Sequence, residues 1–384
     1  MGLTSDIKSW SIWFVLFTYI YFVSTLIVNF LQLCSLIIWP FDKTLYRKVN
    51  YNLAYLSWCQ YTSLGQWWSN SECYLHVDPD ERKHFAKESI IVVMNHKYEI
   101  DWLMAWVLSE RYGLLGGTKI YGKKVLGLIP LIGWAWYFTE SLFLHRDWQK
   151  DRAVIAQGVK NVTEYPDGYF VVMLLFPEGT RLTDEKLKNS QKIAQEKGYP
   201  IMKHHLLPRA KGFVLSVQEL KKLPEHKLTA IYDITTVFEN GNPPLMDAIR
   251  GKKQICRMRL RRFPVANLPD SEEELSDWLR NLFKEKDEIV DKFLKTGEME
   301  LVPYKVPKRA YDLIVHMMWA ALTLPPLFYY VTCTLLFGSF LQKFVIVIIF
   351  AIVMLLAKFM IGYTEIKKGS SYGKEIRRSE KKTS

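Results

Sequence analysis

Long uncharged stretches lie near both ends of this chain, and a mixed polar and apolar rhythm fills the middle. From Ser9 to Phe41, 33 residues pass without a formal charge, enough for about 50 Å of helix against a hydrocarbon core of about 30 Å. This predicts a retained membrane anchor: the stretch far exceeds the roughly 7 to 15 apolar residues of a signal peptide and has no small-residue cleavage site. Its length and charge fit a span and a re-entrant segment alike. Near the other end, Leu313 to Gln342 lacks Asp, Glu, Lys and Arg, and Phe344 to Tyr363 holds only Lys358. Gly338-Ser339 separates them, which predicts two antiparallel membrane helices, with Lys358 snorkelling and Pro325-Pro326 kinking the first.

Between the ends, strand-like runs alternate with helix-like ones, the pattern of an α/β domain. The expected strands are Ile90 to Met94, Thr118 to Tyr121, Tyr169 to Leu175, Leu228 to Val237 and Gln254 to Phe263. The expected helices are Ile100 to Arg111, Trp148 to Tyr165, Asp184 to Lys197 and Glu272 to Lys295, the last opened by a capping box at Ser271. The organisation read from these elements is a membrane segment (1–42), an interfacial helical linker (43–88), a catalytic domain (89–305), a transmembrane hairpin (306–363) and a basic tail (364–384).

Charge then narrows the partners. A formal net charge of +12 calls for an anionic one, and the uncharged ends favour a lipid surface over nucleic acid, for which there is no recognition motif. Basic residues set the orientation. Lys8 alone precedes the first segment, whereas Lys43, Arg47 and Lys48 follow it. Lys305, Lys308 and Arg309 precede the hairpin, and seven Lys or Arg follow from Thr364. The middle domain and tail are therefore expected in the cytosol. There Lys381-Lys382-Thr383-Ser384 fits a dilysine signal for retrieval to the endoplasmic reticulum. The five cysteines are scattered, with no zinc spacing, and read as reduced structural thiols with no metal site. The Asn161-Val162-Thr163 sequon is expected to be unused on the cytosolic side.

Candidate chemistry begins at Asn95-His96-Lys97-Tyr98-Glu99-Ile100-Asp101, directly after the first strand of the middle domain. Five residues on an ideal helix would set His96 and Asp101 about 140° apart. They meet only if His96 lies in the loop and Asp101 opens the helix. The carboxylate would then fix the imidazole tautomer and leave the other nitrogen basic, as in a triad. No serine or cysteine accompanies the pair, so direct attack by a substrate hydroxyl is the simplest chemistry. The second element, Phe176-Pro177-Glu178-Gly179-Thr180-Arg181, ends another strand. Gly179 permits close backbone approach and offers an amide to an oxyanion, and Arg181 presents a fork suited to phosphate.

Three further features carry less. The 14 apolar residues Val125 to Phe138 are too few to span a bilayer and fit an interfacial segment, with Trp134 and Trp136 at headgroup depth, or a buried helix. Gly113 to Lys119 resembles a phosphate loop but lacks the G-K-[ST] order, which removes nucleotide hydrolysis. Cys256, Met258 and Leu260 alternate with Arg257, Arg259 and Arg261, giving a strand with one basic face, either the wet side of a sheet or a surface for anions.

Asn95 to Asp101, Ser141 to Arg146, Phe176 to Arg181 and Leu206 to Phe213 resemble, in order, the four blocks of the glycerophospholipid acyltransferase family. Gly133 to Phe138, His204 to Arg209 and Gly362 to Gly373 look like the gamma and delta branch of its 1-acylglycerol-3-phosphate members. One departure is Phe176-Pro177, the wider-family form, where that branch in mammals has a cysteine. The resemblance covers about Leu31 to Gly373. It implies the glycerolipid acyltransferase fold, a mixed sheet with flanking helices, with acyl-CoA as co-substrate, a lysophospholipid as acceptor and no cofactor. It implies His96 as base, oriented by Asp101. Arg146, Glu178, Gly179, Thr180 and Arg181 would serve the acceptor, with Arg209 and Lys211 as further phosphate partners. Lysophosphatidic acid is the expected acceptor. The rivals are another lysophospholipid, such as lysophosphatidylinositol or lysocardiolipin, and a non-catalytic membrane scaffold or lipid-binding protein.

Overall fold

The computed structural model describes residues 8, 11–145, 147–223 and 228–362. Arg146 and the basic tail with its dilysine pair lie outside them. The centre is an eight-stranded sheet in the order β4-β3-β5-β2-β6-β7-β1-β8. Its strands are β1 (Glu72–His76), β2 (Ser89–Met94), β3 (Thr118–Lys123), β4 (Leu142–Leu144), β5 (Val172–Leu175), β6 (Leu228–Phe238), β7 (Ile255–Pro264) and β8 (Tyr304–Lys305). The pairs from β4 to β6 are parallel, β7 runs antiparallel to β6, and β1 pairs parallel with β7. The expected mixed α/β sheet is thus present. It also draws in β1, from the stretch expected to be linker, and the three-residue β4.

β2 is buried at every position, as a central parallel strand covered on both faces must be. Ile90, Val92 and Met94 point into the cluster shared with Leu103, Met104 and Val107 of helix Asp101–Arg111. Ile91 and Val93 point into the opposite cluster, with Ile155, Phe213 and Phe283 from helices Trp148–Thr163, Ala210–Lys221 and Glu272–Thr296. The result is a three-layer α/β/α domain. In chain order the helices are α1 (Ser11–Ser35), α2 (Lys43–Ser63), α3 (Asp101–Arg111), α4 (Ile132–Phe138), α5 (Trp148–Thr163), α6 (Asp184–Lys197), α7 (Ala210–Lys221), α8 (Leu245–Ile249), α9 (Glu272–Thr296), α10 (Tyr311–Phe337) and α11 (Phe340–Gly362).

A fourth layer lies outside α3. Helix α2 packs on it through Ala54, Trp58 and Trp106, and α1 runs antiparallel along α2. Thr25 meets Ser57 at 3.1 Å, Gln60 donates to Ser24 at 2.7 Å and Asn50 donates to Ser35 at 2.8 Å. Such hydrogen bonds between helices suit an apolar surrounding, where small hydroxyl residues let backbones approach. Both ends of this pair are tied to the domain. The Lys8 ammonium donates to the Trp68 carbonyl, and Arg47 forms a 2.9 Å ion pair with Glu140.

Among the described residues three helical stretches, Ile12–Ser35, Tyr311–Phe337 and Phe340–Phe359, are long and apolar enough to cross a membrane. α10 continues through Pro325 and Pro326, where a kink was expected. Its buried Asp312 accepts hydrogen bonds from Thr62, Gln66 and Trp67, fastening the hairpin to α2 and the turn after it. The arginines of β7 form ion pairs, Arg257 with Glu239, Arg259 with Glu300 and Arg261 with Asp233. Their face is thus paired with the domain's own carboxylates.

Candidate active site

Two strand ends build the site. β2 stops at Met94 because Asn95 turns its amide onto β6: its Oδ1 accepts from the Thr236 amide at 2.7 Å and its Nδ2 donates to the Thr236 carbonyl at 3.1 Å. The chain then leaves the sheet as a loop carrying His96, and α3 starts at Asp101. This resolves the angular problem of the five-residue spacing. His96 Nδ1 donates to Asp101 Oδ2 at 2.8 Å, while Asp101 Oδ1 accepts from the Trp102 amide at 2.7 Å. Asp101 is fully buried at the first position of that helix. With Nδ1 engaged, Nε2 is the basic nitrogen.

The imidazole is stacked on Phe176, and burial is the main cause that lowers its pKa from the ordinary value. Asp101 pulls it upward, and the charges of Arg181 and Lys123 push it down. The ring sits at a cavity of about 310 Å³. Trp102, Trp106, Leu126, Ile129, Ile132 and Trp136 supply apolar wall, and Lys123, Thr180 and Arg181 the polar part. Ile361, in the last turn of α11, lines one side, so the C-terminal apolar helix pair contributes directly to the site.

The segment Val125 to Phe138 proves two-faced. Leu126, Ile129, Ile132 and Trp136 line the cavity, while Val125, Leu128, Trp134 and Tyr137 are exposed on the outside. One face points inward, as the buried-helix alternative expected, and Trp136, expected at headgroup depth, belongs to it, while the outer face carries exposed apolar side chains, Trp134 among them.

The loop after β5 lies beside the first. Glu178, expected to meet the acceptor, instead lies behind His96, with its residue 1% exposed. Its Oε1 accepts from the His96 amide at 2.7 Å and its Oε2 from the Leu206 amide at 2.9 Å. Burial pushes this carboxyl up to about 8, against the pull of both amides and of Lys286. Gly179 adopts φ +68°, the left-handed turn that glycine tolerates best. Its amide, expected to serve an oxyanion, donates to the Phe176 carbonyl at 2.9 Å to close that turn. Thr180 and Arg181 do reach the cavity, as does Gly179. The buried ammonium of Lys186 holds them there, donating to Thr180 Oγ1 at 3.1 Å and to the Arg181 carbonyl at 2.8 Å. The Arg181 guanidinium is itself pulled down by burial, with Asp101 and Glu99 opposing.

Arg209 lies over Gly179, and its amide donates to the Pro177 carbonyl at 2.8 Å. Lys211 is outside the cavity wall, its ammonium 5.5 Å from the Trp148 ring. Sequence reasoning missed Lys123, Lys186 and the aromatic wall. Lys123 carried one signal, its place at the C-terminal end of a parallel strand, where open α/β sheets gather their ligands.

A basic imidazole with a buried orienting carboxylate, beside cations and an apolar cavity bordered by a helix long and apolar enough to cross a membrane, defines an acyl-transfer site. The family comparisons agree. The acyltransferase family pattern matches residues 76–238, and the acyltransferase C-terminus pattern residues 247–319. The chain is 40% identical over 374 residues to the 1-acyl-sn-glycerol-3-phosphate acyltransferase delta of Bos taurus, covering 97% of each chain. To the human delta protein it is likewise 40% identical with the same coverage. It is 39% identical to the gamma protein of Mus musculus over 99% of this chain and 100% of that one. The solved 1-acyl-sn-glycerophosphate acyltransferase PlsC of Thermotoga maritima is also similar, at 17% identity and a TM-score of 0.40, over 76% of this chain and 98% of that one. The chain belongs to the 1-acyl-sn-glycerol-3-phosphate acyltransferase family and is an acyltransferase.

Proposed function

We propose that this acyltransferase moves an acyl group from acyl-CoA to the sn-2 hydroxyl of lysophosphatidic acid, giving phosphatidic acid for phospholipid synthesis. The observation that carries it is the His96–Asp101 pair, 2.8 Å apart, with His96 in one cavity with Lys123 and Arg181. His96 Nε2 takes the hydroxyl proton as the oxygen attacks the thioester carbonyl. The tetrahedral intermediate collapses, the C–S bond breaks and the coenzyme A thiolate leaves. Asp101 holds the tautomer and stabilises the imidazolium. Thiolate is a good leaving group, so the step requires neither a metal nor another cofactor. Arg181 and Lys123 hold the acceptor phosphate, with Arg209 and Arg146 as further candidates, and the apolar wall takes acyl chain.

The names of the gamma and delta relatives support this acceptor. In this reading the catalytic domain and tail face the cytosol, which the basic flanks support, and the dilysine pair fits the endoplasmic reticulum membrane. The test supplies membranes carrying wild type or His96→Ala with labelled acyl-CoA and a panel of lysophospholipids. Label in phosphatidic acid with wild type only is expected. Equal transfer by both proteins sinks the base assignment, and a preference for lysophosphatidylinositol or lysocardiolipin replaces the acceptor. A glycosylation tag placed after Ser384 is expected to stay unmodified.

A further inference from the structure

Beneath the His96 loop, on the face away from the cavity, α9 brings two adjacent charged side chains into the core. Lys286 is fully buried. Its ammonium forms a 2.5 Å ion pair with the equally buried Asp233 and reaches the carbonyls of Ile234 at 2.7 Å and Val93 at 3.3 Å. Val93 is three residues before His96, and Ile234 lies on the strand that holds Asn95. One ammonium therefore binds the end of β2 to the middle of β6 at the point where the His96 loop departs.

Asp287, the next residue, takes the other side. Its Oδ2 accepts from the Lys203 amide at 2.8 Å, and its Oδ1 from the His204 amide at 2.7 Å and His205 Nδ1 at 3.0 Å. The following residue, Leu206, donates its amide to Glu178. The carboxyl of Glu178 is thus held between two backbone amides, those of His96 and Leu206, and each lies on a segment anchored to α9.

We propose that Lys286 and Asp287 are positioning residues for acyl transfer: together they fix the two segments that Glu178 bridges, and so set where His96 stands against the acceptor hydroxyl. The proposal rests on the reading of His96 as the base. It also gives the C-terminal family segment a task. Lys286 and Asp287 fall within 247–319, whereas His96 and Glu178 fall within 76–238, so one segment supplies the floor on which the other's base stands. A buried ion pair is weak evidence for stability, because desolvation offsets most of the attraction. Three charge-assisted bonds converging under one loop fix geometry instead. The ionisable groups facing Glu178 are His96, Lys97, Asp101 and Lys286. Of these, the Lys286 and Lys97 ammoniums favour its carboxylate and Asp101 opposes it.

The experiment uses the full-length protein in detergent micelles, as wild type, Lys286→Met/Asp233→Asn, Asp287→Asn, Glu178→Gln, and the triple variant that adds Glu178→Gln to the first pair. Lys286→Met/Asp233→Asn removes both charges together and leaves no lone buried ion, while Arg261 keeps its contact with Glu285. For this variant and for Asp287→Asn, kcat should fall about tenfold or more, with both KM values within about twofold. In the Lys286 variant, the ionisation step that Glu178 contributes to the pH profile should move to higher pH, and in the Glu178→Gln background no such step should move. Hydrogen exchange at the His96 amide should quicken about tenfold. A folded Lys286→Met/Asp233→Asn variant with wild-type kcat, pH profile and His96 exchange overturns the proposal. So does a loss of kcat that leaves both the step and the exchange unmoved, because that marks a merely structural pair. Absence of transfer by the wild type itself fails the functional reading instead, and the exchange measurement still decides this one.

Discussion

The imidazole of His96 and the ring of Phe176 are stacked, with centroids 4.0 Å apart and planes 21° from parallel. An apolar ring on one face and a buried carboxylate at the edge work against each other. Burial lowers the imidazole pKa, Asp101 raises it, and burial wins. A base whose pKa is lowered stays unprotonated to lower pH. Activity governed by His96 should therefore persist at pH 6.5 and be lost only below it. Phe176→Leu removes the flat cover and should move that limb upward. A pH profile of kcat/KM from 5 to 9 reads it, and a limb above the ordinary histidine value in the wild type would refute this account.

Asp101→Asn tests orientation separately from basicity. The side chain keeps its size and an acceptor for the Trp102 amide, but a neutral amide neither fixes the tautomer nor stabilises the imidazolium. The expected result is a fall in kcat of about 10² to 10⁴ with little change in either KM. A variant that keeps more than about a tenth of wild-type kcat would deny Asp101 this role.

Arg181→Lys separates phosphate recognition from chemistry. The charge remains and the planar fork is lost. Hydrogen bonds to charged groups contribute about 1.5 to 3 kcal/mol. The acceptor KM should therefore rise roughly tenfold or more, with the acyl-CoA KM unchanged. Lys123→Gln should act in the same direction. Should the acyl-CoA KM rise instead, both cations serve the donor.

Much of this architecture is legible in sequence, for reasons that also mark where legibility stops. β2, β6 and β7 are apolar or alternating runs, and the structure places them within two residues of their expected bounds. α6 begins at Asp184 and ends at Lys197 as expected, because Thr183 caps it and Gly198 stops it in a left-handed turn. The His96–Asp101 contact follows from a strand, a loop and a helix in close succession. β1 was missed because its signal is a pairing with β7, some 180 residues away in sequence. The role of Glu178 was missed for a related reason. Its partners are backbone amides of two other segments, and no side-chain pattern records a backbone donor. Lys286 likewise reads as one lysine in a charged helix until the fold buries it.

Glu178 yields a prediction about stability. Its carboxyl has an ordinary pKa of 4.5 and is pushed up to about 8 in the folded chain, mainly by burial. The folded state therefore holds a proton that the unfolded state releases. The stability linked to that proton is fully present below pH 4.5 and is lost as pH rises to about 8. Glu178→Gln has no proton to lose. It gives up one acceptor for the His96 or Leu206 amide, a roughly constant cost of about 1 kcal/mol. The variant should consequently be no more stable than wild type at pH 4.5, and should gain on it by a few kcal/mol, on the order of 2 to 5, toward pH 9. Thermal unfolding of both proteins in the same micelles across that range measures the difference. A difference in Tm that stays flat with pH would mean that the two amides and Lys286 hold Glu178 ionised throughout, and that its burial is fully offset.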